Sequence, residues 1–136
     1  MSDVSTTLTS DEQTTLRTAA YGAVTLLSMT RPGPISSTRQ NMAGATALTG
    51  ATGIVGRILA AKEKITLKGT TAEVADQVLP ALTQAVVILD TKAPAETAEF
   101  QRAVTTAVQQ AIAATSGPDQ AQNDMATKIT TALQSR

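Results

Sequence analysis

Apolar residues recur every three to four positions through most of the chain, a spacing that predicts amphipathic α-helices. Five such stripes cover residues 16–27, 44–58, 74–89, 100–112 and 121–133. Segments rich in proline, glycine or charge separate the stripes. The pattern therefore predicts an all-α fold, a single-domain bundle of about five helices joined by short loops. We expect residues 1–8 to form a flexible tail and residues 9–136 to form the helical domain.

Two of the predicted helices carry recognisable start signals. Thr9 and Glu12, and likewise Thr70 and Glu73, have the spacing of a capping box, in which the threonine caps the helix and the glutamate caps in return. Within the third stripe, Pro80 removes a backbone donor and should kink or divide the helix.

The second stripe contains four glycines, Gly44, Gly50, Gly53 and Gly56. Each costs about 1 kcal/mol relative to alanine inside a helix. A long helix here must recover that cost by close packing, inside the bundle or across a dimer. Otherwise the helix is broken near Gly50 to Gly53, and the sequence leaves both possibilities open.

Residues 49–57 read Thr-Gly-Ala-Thr-Gly-Ile-Val-Gly-Arg. This segment resembles the TGxxGxxG dinucleotide fingerprint of the short-chain dehydrogenase/reductases. In that family, a glycine turn links a strand to a helix whose N-terminal amides hold a pyrophosphate. The resemblance implies that Gly50, Gly53 and Gly56 border a nucleotide and that Arg57 favours a phosphorylated ribose. Small-ligand or nucleotide binding through this segment is one functional hypothesis.

The residues around the fingerprint favour a structural role for its glycines. Residues 41–47 lack the apolar pattern of a buried strand, and the sole tyrosine, Tyr21, precedes the glycines, so no Tyr-xxx-Lys pair follows them. We therefore interpret the glycines as helix-packing positions and predict no cofactor. We interpret Tyr21 as a core or interface residue whose hydroxyl has a hydrogen-bond partner.

Alanine and threonine dominate the composition, with 24 residues each, while leucine, isoleucine, valine and phenylalanine together number 28 of 136. Alanine favours helices but buries little area, and only one Phe and one Tyr add aromatic bulk. Close helix packing and a second copy covering an apolar face would both compensate. The first functional hypothesis is therefore an interaction or oligomerisation module that forms a homodimer.

The chain contains no cysteine and no histidine. Disulfides, thiolate metal sites and imidazole bases are therefore excluded, which argues against an enzyme. Two carboxylate pairs, Glu73 with Asp76 and Glu96 with Glu99, have a spacing that suits a divalent cation. Acidic residues near helix starts are equally expected from the helix dipole, so we predict no metal site.

The charge is unevenly distributed although the net charge is zero. Residues 31–68 carry six positive side chains and one negative, while both flanks are acidic. A polyanion binder that uses this basic region is therefore a third hypothesis, with contacts from Arg39, Arg57, Lys62, Lys64 and Lys68. Arg31 is the sixth positive residue of the region. No aromatic residue lies among them, which argues against nucleic acid.

The most apolar stretch, residues 43–61, makes a poor membrane span because it contains four glycines, three threonines and Arg57. The first residues lack a basic cap followed by an apolar run, so we expect no secretory signal. These features predict a soluble, cytoplasmic protein.

Overall fold

A computed structural model describes residues 8–30, 44, 46–60, 67, 69–113 and 120–134. Within these residues, all regular secondary structure is helical, and the all-α, single-domain bundle is confirmed. A 3-10 turn, Pro94–Glu96, leads directly into the fourth of the five helices that we label. These are α1 Ser10–Met29, α2 Gly53–Ala60, α3 Thr71–Lys92, α4 Thr97–Ala113 and α5 Gln120–Gln134.

Helix α3 lies at the centre of the bundle, packed most extensively against α1 and also against α4 and α5. Its buried face is the predicted stripe: Val74, Val78, Leu82, Ala85, Val86 and Leu89. Among the described helices, α3 alone is long and apolar enough to cross a membrane, judged by length and composition. In the bundle this apolar character serves the core, because side chains of every other labelled helix join the same buried cluster.

Pro80 does not divide α3, which continues unbroken from Thr71 to Lys92. The proline is exposed, whereas Val78 and Leu82 on either side of it are fully buried. Proline has no N–H, so the carbonyl four residues earlier loses its helical hydrogen bond. On the solvent side of the helix, that carbonyl can bond to water instead. Burial of the neighbouring side chains then stabilises the helix across the missing hydrogen bond.

At two positions, a glycine allows another segment of the chain to pack closely against α1. A Cβ added to Gly44 would lie 2.6 Å from Cγ1 of Val24, and one added to Gly22 would lie 2.6 Å from Cγ2 of Val78. The packing interpretation is confirmed for Gly44. Gly22 plays the same part between α1 and α3, although nothing in the sequence pattern distinguishes it from its alanine neighbours.

The buried face of α5 differs from the prediction at its first turn. Met125, Ile129 and Leu133 are buried as expected, but Ala121 is exposed and Gln122 is fully buried in its place. The Gln122 side chain donates from Nε2 to the Leu27 carbonyl at 3.2 Å. That carbonyl belongs to the last turn of α1 and also accepts from the Thr30 amide at 3.2 Å and from Oγ1 of Thr30 at 2.7 Å. The Gln122 amide group thus joins the end of α1 to the start of α5.

Leu8, the last residue of the predicted tail, is buried in the core at 1% exposure. Its carbonyl accepts a hydrogen bond from Nε2 of Gln13 at 3.1 Å. The rest of the predicted tail, residues 1–7, lies outside the described residues.

Candidate functional site

The glycine segment is a broken helix. Residues 46–49 are helical, Gly50 lies in a turn, and α2 begins at Gly53. Leu48 before the break and Val55 after it are both fully buried. The structure thus decides between the two possibilities that the sequence leaves open. It also places a helical turn where the dehydrogenase resemblance implies a strand.

The glycines of the fingerprint allow the chain to reverse rather than two helices to pack. Gly53 has φ +70°, a left-handed conformation that favours glycine. A Cβ on Gly53 would lie 2.5 Å from Oε1 of Glu96, and one on Gly56 would collide with the Ala51 carbonyl. Gly50 is less constrained, with its nearest contact at 3.3 Å. The helix-packing interpretation is therefore wrong for Gly53 and Gly56.

Two carboxylates cap the start of α2, one from the 3-10 turn that precedes α4 and one from the first turn of α4. The Thr52 N–H donates to Oε2 of Glu99 at 2.8 Å, and the Val55 N–H donates to Oε1 of Glu96 at 3.2 Å. The partners are 47 and 41 residues apart in sequence. Negative groups at a helix N-terminus satisfy its unpaired amides and oppose its dipole favourably. We call these four residues the carboxylate clamp.

Arg102, one turn further along α4, holds the Glu99 carboxylate in place. Its Nε donates to Oε1 at 2.9 Å and its Nη2 donates to Oε2 at 2.6 Å, a bidentate pair. The hydrogen bonds from Arg102 and, next, from the Thr52 amide lower the pKa of Glu99 from 4.5 to about 2. Glu99 therefore stays charged at neutral pH, and the same pairing raises the pKa of Arg102.

The carboxylate clamp bears directly on the nucleotide hypothesis. The structure keeps Gly50, Gly53, Gly56 and Arg57 in one segment, with Arg57 exposed on α2. However, the amides that would meet a pyrophosphate already receive carboxylate oxygens. An incoming anion would have to displace two like charges to reach them. Nucleotide binding thus stays a prediction. A bound nucleotide would have to compete with the Glu96 and Glu99 carboxylates for these amides.

Three of the four carboxylates considered for a cation site have structural partners. Glu96 and Glu99 bind amides in the clamp, and Glu73 accepts from the Thr70 amide at 3.0 Å while its own amide donates to Oγ1 of Thr70 at 3.3 Å. The capping box predicted for α3 is therefore confirmed. Across the described ranges, no group of three or more His, Cys, Asp or Glu side chains is arranged to hold a metal ion.

Tyr21 joins α1 to α2. Its hydroxyl donates to the Leu59 carbonyl in the last turn of α2, and burial raises the pKa of the phenol. Tyr21 is half-buried, and the prediction that its hydroxyl has a hydrogen-bond partner is confirmed. Of the basic residues considered for polyanion binding, Arg57 is described and exposed. The others lie outside the described residues: Arg31, Arg39, Lys62, Lys64 and Lys68.

Two shallow grooves flank α5 on the side away from the core. One, of about 300 Å³, lies between α4 and α5, with Val108 and Ile112 among its lining residues. The other, of about 450 Å³, lies between α3 and α5, with Leu79 among its lining residues. Thr127 and Thr131 line both grooves, so α5 forms a ridge between two hollows.

The ridge presents short side chains and two opposite charges. We call five of its exposed residues the α5 strip: Ala121, Asp124, Thr127, Lys128 and Thr131; Gln120, Asn123 and Gln134 of the same helix are exposed as well. The Asp124 carboxylate accepts from Nε2 of Gln120 at 2.8 Å. Within the described residues, Lys128 makes no ion pair. The sequence does not reveal this strip, because its periodicity places Ala121 on the apolar stripe of residues 121–133.

Comparisons with known proteins leave the chain to be interpreted from its own geometry. No family model matches the sequence, and neither the curated proteins nor the solved structures give a significant match.

Proposed function

We propose that this protein is an interaction module that pairs with a second copy of itself through the α5 strip and the two grooves beside it. The observation that carries the proposal is the ridge between two hollows, in which Thr127 and Thr131 line both grooves. Helix ridges pack into the grooves of a neighbouring helical surface. Two copies related by a two-fold axis would therefore each place the α5 ridge against a groove of the other.

The chemistry of the face suits association between folded protomers. Its grooves are lined mainly by threonine, alanine and aliphatic side chains, and threonine loses little side-chain freedom when it is buried. The strip carries one acid and one base, so it is electrically neutral and complementary to itself. A charged patch of one sign would instead repel a second copy.

Other described surfaces offer less to a partner. Val87, on the exposed side of α3, is the only large hydrophobic residue among the described positions that is clearly exposed, at 44%. A single exposed valine is ordinary for a protein surface. The core, including Phe100, is already enclosed within one copy. The small number of bulky core residues therefore no longer argues for a dimer, because one copy buries them by itself. The support for a dimer comes from the α5 face.

The size of the face indicates the strength of the association. Helix α5 has 15 residues and is about 22 Å long. The area that such a helix and the rims of its two grooves can bury lies towards the lower end of the range for specific protein–protein interfaces. We therefore expect a concentration-dependent dimer, with monomer dominant at low micromolar concentration. The expected location of this dimer remains the cytoplasm.

Sedimentation velocity on the full chain, from low micromolar concentration to about 1 mM, tests the proposal. A reversible shift from monomer to dimer mass supports it. A protein that remains monomeric at the highest concentration contradicts it.

A matched pair of variants locates the interface. Thr127 and Thr91 are both exposed helical threonines whose Oγ1 donates to the carbonyl four residues earlier, at 3.0 Å and 2.8 Å. Only Thr127 lines the grooves. Thr127→Arg should abolish dimerisation by placing a long charged side chain on the ridge, whereas Thr91→Arg should leave it unchanged. Equal effects of the two variants would place the interface elsewhere.

A further inference from the structure

We infer that the two copies meet with their α5 helices antiparallel, so that Asp124 of one protomer pairs with Lys128 of the other. This inference rests on the proposed function and specifies the geometry of the same surface. The two residues are both exposed and lie two positions on either side of residue 126. A two-fold axis that crosses the α5 strip level with residue 126 along the helix would therefore create the Asp–Lys pair twice.

The charges select the antiparallel arrangement. In a parallel, in-register pair, each Asp124 would face the other Asp124, and each Lys128 would face the other Lys128. Both contacts are repulsive. In the antiparallel pair, both contacts are attractive. Within one copy, the two residues do not form an ion pair with each other, and Oδ1 of Asp124 accepts from Gln120. The Lys128 ammonium is therefore available to a partner.

The same axis brings small residues together. Ala121 and Thr131 lie five positions on either side of residue 126, so each would face the other across the interface. At about 100° per residue, these two and the charged pair fall within an arc of about 80° on one side of the helix. Small side chains at both ends of the contact let the two helices approach closely enough for the charges to meet. The arrangement thus gives the exposed Ala121 a contact that the single copy lacks.

Charge reversal tests the pairing. Asp124→Lys alone and Lys128→Asp alone each replace two attractive contacts by two repulsive ones, and each should weaken dimerisation about tenfold or more at low salt. The double swap, Asp124→Lys with Lys128→Asp, restores both attractive contacts and should recover near wild-type association. Sedimentation at matched salt measures all four proteins, and circular dichroism checks that each keeps its helices.

Cysteine crosslinking tests the direction independently, because the natural chain has no cysteine. Mixing Ala121→Cys with Thr131→Cys under mild oxidation should give a disulfide-linked heterodimer, since the antiparallel pair places these positions opposite each other. Ala121→Cys alone should crosslink poorly, because its two copies would lie about ten residues apart along the helix, roughly 15 Å.

The outcomes separate the inference from the proposed function. A wild-type chain that never dimerises overturns both. A dimer that ignores charge reversal, or in which Ala121→Cys crosslinks efficiently to itself, keeps the proposed function and overturns the antiparallel pairing. Weakening by both single reversals, recovery in the double swap and selective mixed crosslinking establish it.

Discussion

Helices α1 and α3 begin in one way and α2 begins in another. At α1, the Thr9 amide donates to Oε1 of Glu12 at 2.8 Å and the Glu12 amide donates to Oγ1 of Thr9 at 3.1 Å. The start of α3 repeats this capping box. Helix α2 has no such local pair, and the amides at its start instead donate to carboxylates of the 3-10 turn and α4, more than 40 residues later. One kind of cap is local in sequence, and the other exists only in the folded bundle.

The difference follows from helix length and position. Helices α1 and α3 have 20 and 22 residues and bury long apolar stripes. Helix α2 has eight residues and follows a glycine turn, so it is too short to be stable alone. Its N-terminus therefore depends on the tertiary fold, and the carboxylate clamp in turn fixes where α4 begins relative to α2. A local cap stabilises one helix, whereas a remote cap stabilises the arrangement of two.

The substitution with the largest expected effect is Gly53→Leu. Leucine cannot adopt φ +70° without strain, and its Cβ would meet the Glu96 carboxylate. The clamp would have to open to admit the side chain. We expect a loss of about 2–4 kcal/mol in the free energy of unfolding, measured by urea denaturation.

Gly50→Ala serves as the control for this prediction. Gly50 is in the same turn, but its φ is not positive and an added Cβ meets only the Ala47 carbonyl, at 3.3 Å. This variant should lose much less stability than Gly53→Leu. Similar losses in the two variants would mean that the glycine turn as a whole, and not the clamp, limits stability.

The second prediction removes one carboxylate of the clamp. Glu99→Ala eliminates the acceptor for the Thr52 amide and the partner of Arg102. We expect a loss of about 2 kcal/mol, because hydrogen bonds to charged groups are stronger than neutral ones. Hydrogen exchange should accelerate at the Thr52 and Val55 amides while the start of α3 stays protected. Glu99→Gln should recover part of the loss, since its carbonyl oxygen still accepts. Unchanged exchange at Thr52 would contradict the remote cap.

These two kinds of cap also mark what the sequence predicts and what it does not. The capping boxes of Thr9 and Thr70 were predictable because donor and acceptor are three residues apart and follow a fixed pattern. The apolar stripe of α3 was predictable for the same reason, since helical periodicity is local. The all-α class followed from these signals.

The carboxylate clamp was not predictable, because no local rule connects Thr52 with Glu99. The dehydrogenase resemblance rests on nine consecutive residues. It therefore carries no information about the carboxylates that bind the amides of this turn. Burial of Gln122 was missed because its acceptor, the Leu27 carbonyl, is 95 residues away. In each case a partner outside the local segment decides the role of a polar side chain.

The third prediction disrupts a local cap. Thr70→Ala removes the side chain that accepts from the Glu73 amide at 3.3 Å. We expect a loss of about 1 kcal/mol, typical for an N-cap threonine, measured by the same urea denaturation. Hydrogen exchange should accelerate only in the first turn of α3, with the Thr52 and Val55 amides unaffected. Faster exchange at the Thr52 and Val55 amides in this variant would show that the local cap of α3 and the remote cap of α2 do not act independently.

The smallest effect concerns acid titration. Arg102 and the Thr52 amide lower the pKa of Glu99 from 4.5 to about 2. The hydrogen bond from Lys92 and then that from the Thr9 amide lower the pKa of Glu12, and the Thr70 amide lowers that of Glu73, in neither case by so large a shift. Since the folded-state pKa of Glu99 lies below its unfolded value, the stabilisation that Glu99 provides is complete above pH 4.5 and is lost as pH falls towards 2.

Carboxyl NMR should therefore find that, as the pH is lowered, Glu99 is the last of the three glutamates to become protonated. Arg102→Gln should raise its midpoint towards that of Glu73, because the arginine is the largest cause of the shift. A wild-type midpoint for Glu99 equal to that of Glu73 would show that the remote cap binds its carboxylate no more strongly than a local capping box does.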